Sequence, residues 1–124
     1  MKTVIFNSNV INEVKENGAV KLVWANELVG GELNNQTPVF TDESKSIGLE
    51  AIILDSYTAS AMVKVLGALS EGVKEKVIKR IDSDRGYFGM FVEQVWNVCG
   101  TGLELRQIVQ GFEPIFYWAQ NALH

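Results

Sequence analysis

Two hydrophobic periods divide the chain. From Lys2 to Leu54 the apolar residues fall in short runs with strand-like alternation, and from Asp55 onward they recur at helical spacing. Lys2 to Phe6 is a short β-rich run. Asn7-Ser8-Asn9 then offers a cap for a brief helical turn carrying Val10, Ile11 and Val14, and Asn17-Gly18 offers its exit. Residues 19–25, AVKLVWA, set Val20, Leu22 and Trp24 on one face and Lys21 on the other, as a half-buried strand does. Residues 47–54, IGLEAIIL, repeat the alternation, with Leu49, Ala51 and Ile53 opposing Glu50 and Ile52. The polar stretch 26–46 between them contains Gly30-Gly31, Asn34-Asn35 and Pro38, and structureless loops of that length are uncommon in compact domains. The expectation is a hairpin with Val39 and Phe40 as a short extra strand, or else a mobile functional loop.

Beyond Asp55 four helices are predicted. Asp55 or Ser56 opens the first, with Met62, Val65, Leu66 and Leu69 on one stripe and small Ala59, Ala61 and Ala68 allowing close approach. Ser70 caps the second, which carries Val73, Val77, Ile78 and Ile81. Ser83 or Asp84 caps the third, whose wide apolar face of Phe88, Phe91, Val92, Val95, Val98 and Cys99 marks it as the most central. Gly100-Thr101-Gly102 ends it, and a fourth runs from about Leu103. Strands first and helices after predict an α+β fold, with a small N-terminal antiparallel sheet of three or four strands followed by about four helices. The expected organisation is a single domain over 1–124, strand-rich over 1–54 and helical over 55–124.

Composition agrees with this reading. At 124 residues and 47% hydrophobic content the chain can build a core without staples. Its formal charge of −4 is uneven. Residues 1–55 hold eight acids against four lysines, and residues 56–124 hold seven of each sign, so nothing resembles the basic footprint of a duplex-binding protein. Cys99 is the only cysteine, which excludes an intrachain disulfide and suits a reducing cytosol. No secretory leader is read near Met1, and no apolar run approaches the roughly 20 residues that span a bilayer. A cytoplasmic location is expected.

Few side chains suggest catalysis. The one histidine, His124, is the last residue, a poor position for a general base. Cys99 falls on an apolar stripe, where cysteine behaves as a small hydrophobe. In Asp82-Ser83-Asp84-Arg85-Gly86 the two acids could ligate a hard metal, but a helix cap is the better reading, and no metal or cofactor is assigned. Lys76, Lys79, Arg80 and Arg85 form a basic cluster that could hold an anion or a nucleic-acid backbone, although Glu71, Glu75 and Asp82 interleave with it. The glycine pairs make no phosphate loop.

The last helix separates its own aromatics. Leu105, Ile108, Val109, Phe112, Ile115, Phe116, Ala119 and Leu123 share one stripe, which assigns Phe112 and Phe116 to the core. Tyr117 lies with Arg106, Gln110 and Asn121 on the polar side, and Trp118 lies at the border near Pro114. An exposed Tyr beside a border Trp is interface composition, so Tyr117, Trp118, Arg106 and Asn121, with the 26–46 loop, are the expected partner contacts.

The stretch LDSYTASAMVKVLGALS, Leu54 to Ser70, resembles a segment of small uncharacterised proteins carried by phages and plasmids. The resemblance covers 17 residues and carries no catalytic signature; it implies an accessory protein of a mobile element that acts by binding. Three functions follow in order. The first is a non-enzymatic interaction protein, either a homo-oligomer or an inhibitor or adaptor of a host or phage complex. The second is nucleic-acid or anion binding through the basic cluster. The third is a small-molecule site or enzyme lined by Trp24, Phe88 and Trp96, with acids as its polar groups.

Overall fold

The computed structural model describes residues 1–99. Strand β1 (Thr3–Ile5) leads into helix α1 (Ser8–Asn17) and strand β2 (Val20–Val23). Two single 3-10 turns and the short helix α2 (Asp42–Ser46) follow, then strand β3 (Ile52–Leu54). Helices α3 (Ser56–Ala68), α4 (Glu71–Ser83) and α5 (Arg85–Cys99) complete the described chain. The α+β class predicted from the two periods holds, and the helix expected from Leu103 lies outside the described residues.

The sheet is mixed, not wholly antiparallel. β1 runs parallel to β2, with Val4 opposite Leu22, and β3 runs antiparallel to β2, with Leu22 opposite Ile52. The reason is α1. The Asn7 side chain accepts the Asn9 amide at one end, and Gly18 closes the other with φ +103° and a bond from its amide to the Val14 carbonyl. Ten residues of helix cover about 15 Å, enough to carry the chain back over a short strand, so β2 starts at the same end of the sheet as β1. Val10, Ile11 and Val14 are buried by that crossover.

The pairing of β3 also fixes which residues face the core. With Val20 opposite Leu54 and Lys21 opposite Ile53, Ile52 and Leu54 turn inward and Ile53 turns outward, 62% exposed. Of the two faces read from the alternation, the one with Ile52 is therefore the inner face of β3, and the one with Ile53 is the outer face. Only Ile52–Leu54 is paired, so the alternation over 47–51 does not set the strand's phase.

The 26–46 stretch is ordered. Leu28 bridges Phe40, and Asn34 and Thr37 exchange both backbone hydrogen bonds at 2.9 Å around a two-residue turn. Its central residues Asn35 and Gln36 have φ of 50° and 64°, the sign that tight hairpins favour. The expected hairpin is present, but Val39 and Phe40 add no strand to the sheet and contribute only the single Leu28–Phe40 bridge; Thr41 then caps α2, which the sequence reading did not foresee.

One core cluster runs through both halves. Phe6, Trp24 and Phe88 pack ring to ring at centroid distances of 4.9 to 5.2 Å. Met62, Val65, Val77, Ile81, Phe91 and Val95 are fully buried around them. The Trp24 indole N–H donates to the Ile81 carbonyl at 2.9 Å, which ties the strand side to the end of α4.

Candidate functional site

Helices α1, α3 and α5 line an open groove of about 380 Å³ between Lys15, Ser56, Tyr57, Ser60, Ala61, Lys64 and Trp96. Its α3 wall starts from a cap. The Asp55 carboxylate accepts the Thr58 amide at 2.7 Å, and hydrogen bonds from Thr58 hold that carboxyl below its usual range. Tyr57 follows in the first turn, and Ala61 and Lys64 continue on the same face at spacings of four and three. The Ser60 hydroxyl donates to the Ser56 carbonyl at 2.8 Å, so it is engaged within its own helix. The floor that remains is apolar and aromatic, with Tyr57 80% exposed and Trp96 42% exposed.

Lys15 and Lys64 form the rims. Both are exposed, and neither has an ion-pair partner among the described residues. Lys15 sits in the last turn of α1, where a cation complements the helix dipole. Lys64 lies inside α3, where the dipole gives it no such role.

The basic cluster is divided by the fold. Lys76 and Lys79 are on the exposed side of α4. Arg80 lies 3.7 Å from the Asp84 carboxylate and packs over the Tyr87 ring at 5.2 Å. Arg85 has a different job from the expected anion contact. Its Nε and Nη2 fork onto the buried carboxylate of Glu27, Nη1 donates to the Glu50 carbonyl at 2.7 Å, and the guanidinium stands 5.3 Å from the Trp24 ring. This pair bolts the start of the 26–46 segment to the start of α5.

The two acids of the 82–86 cluster also separate. Asp84 caps α5, its Oδ1 accepting the Tyr87 amide at 3.1 Å. Asp82 turns towards the start of α1; burial pushes its carboxyl up, against the opposing pull of the Ser8 amide. Among the described residues no cluster of three or more metal-type ligands forms.

The proposed lining of Trp24, Phe88 and Trp96 does not come together as a small-molecule site. Trp24 and Phe88 are sealed in the core at 1% and 3% exposure, whereas Trp96 is on the groove. Core stacking is the stronger demand on the first two, because each ring already has aromatic neighbours. Tyr117, Trp118, Arg106 and Asn121 lie outside the described residues. The sequence did carry a signal for the groove. Tyr57 lies off the Met62-Val65-Leu66-Leu69 stripe, and Trp96 lies beside the Phe88-Phe91-Val95 stripe, not on it.

No helix of the described residues is long and apolar enough to cross a membrane. Comparison with protein-family models, curated proteins and solved structures finds no match.

Proposed function

We propose that the chain is a small non-enzymatic accessory protein of the cytoplasm that acts by binding another protein, and that the Tyr57–Trp96 groove is its contact surface. The observation that carries this reading is the exposure of two large aromatic side chains on one apolar floor. Rings of this size cost solvation when left in water, and Tyr and Trp are the residue types that dominate binding hot spots. The resemblance of residues 54–70 to mobile-element proteins adds support, since that segment supplies the whole α3 wall of the groove. An inhibitor or adaptor of a host or phage complex is the role that fits both. The anion-binding alternative is weaker, because Arg85 and Arg80 are already held by carboxylates.

The test is affinity capture from lysate of cells that naturally carry the chain, with wild type beside Tyr57→Ala/Trp96→Ala. Neither ring is buried, so the double variant should stay folded, with a cost within about 1 kcal/mol. It should lose the proteins that the wild type retains. An unchanged set of captured proteins would remove the groove from this role.

A further inference from the structure

Resting on the protein-binding reading of the groove, we infer that its partner presents an acidic segment. One branched or aromatic side chain of that segment seats between Tyr57, Ala61 and Trp96, and carboxylates on either side of it meet Lys15 and Lys64. The chain is net negative, and residues 1–55 alone carry −4, yet the groove is rimmed by two lysines. An acidic segment is therefore repelled by much of the N-terminal half and attracted at this edge, which selects the place where it docks. The lysine stems extend the apolar floor while their ammonium groups stand at its margins. Lys64 is the more telling of the two, because neither a helix end nor an ion pair among the described residues accounts for it.

The form of the groove favours a peptide over a small molecule. Sites for small ligands enclose most of the ligand's surface. Here Tyr57 is 80% exposed, and the lining residues belong to the sides of three helices, as in grooves that receive a partner helix or strand.

The experiment selects a displayed library of random 12-residue peptides against the full chain, with counter-selection against its Trp96→Ala variant. Recovered peptides should be rich in Asp and Glu around one Trp, Phe, Leu or Ile. Their affinity should fall with salt and drop roughly five- to tenfold for Lys15→Glu/Lys64→Glu, in line with a few tenths to 1 kcal/mol per exposed pair. Circular dichroism of that variant should match wild type. Recovery of neutral or basic peptides that need Trp96 would overturn the acidic partner and leave the protein-binding groove standing. Recovery of no Trp96-dependent peptide would overturn both. Two further outcomes would replace the acidic partner with this chain itself. One is a synthetic peptide of residues 103–123 that competes for the groove; the other is a concentration-dependent dimer that Trp96→Ala abolishes.

Discussion

Glu27 follows a strand and faces the core, where a lone carboxylate would be expensive. Several donors converge on it instead. The Trp24 amide and Arg85 Nη2 donate to Oε1, Arg85 Nε donates to Oε2, and the Glu27 carbonyl accepts from the Thr41 amide and the Ser44 hydroxyl. Removing one member leaves the others unpaired in a low dielectric, so the loss exceeds the worth of any one bond. Glu27→Ala should cost about 3–5 kcal/mol, read as a lower urea midpoint at unchanged slope. Arg85→Met should cost at least as much, because it leaves the more buried Glu27 carboxylate with only the Trp24 amide, whereas Glu27→Ala leaves a guanidinium that is nearer to solvent. In the Glu27→Ala/Arg85→Met double variant the combined loss should be smaller than the sum of the two single losses. Simple additivity would mean that the two side chains act independently.

At the scale of elements, α3 makes the groove and Asp55 sets where α3 begins. Because Thr58 lowers the Asp55 pKa in the folded protein, the sign is that of a stabilising carboxylate. Its contribution is present above the unfolded value of about 3.9 and is lost as pH falls through the lowered folded value. Asp55→Ala should therefore cost about 1 kcal/mol at pH 7, typical of an N-cap, and the gap from wild type should close in acid. A gap that is constant with pH would show that the charge is not the source. This cap, like Asn7, Asp84 and the stripes of α3, α4 and α5, was legible in the sequence because each depends on residues within one or two turns. Three features were not legible. The parallel β1–β2 pair depends on the length of α1, the inward face of β3 on its register with β2, and the Glu27–Arg85 pair on contact across 58 positions. The groove lies between these cases. Tyr57 and Trp96 can each be seen to leave a stripe, but only the packing of α1, α3 and α5 puts them on one surface.

For the whole molecule, the composition shift at Asp55 invites division into a sheet half and a helical half, and the packing opposes it. Phe6 and Trp24 from the strand side meet Phe88 from α5, the Trp24 indole is bonded to the end of α4, and Glu27 is forked by Arg85. Neither half can release the other without exposing this aromatic cluster and an unpaired carboxylate, and each would cost several kcal/mol, comparable with the 5–15 kcal/mol that hold a typical domain. Unfolding of the described body should therefore be a single transition. A Trp96→Phe/Trp118→Phe variant leaves Trp24 as the one indole, so its emission reports the sheet side while far-ultraviolet ellipticity reports the helices. The two urea curves should share one midpoint and one slope. If Trp24 emission changes first while ellipticity holds, the strand half opens separately, and the Arg85–Glu27 bolt contributes less than its geometry implies. In that event Glu27→Ala should widen the separation between the two curves, whereas in a single cooperative unit it moves both together.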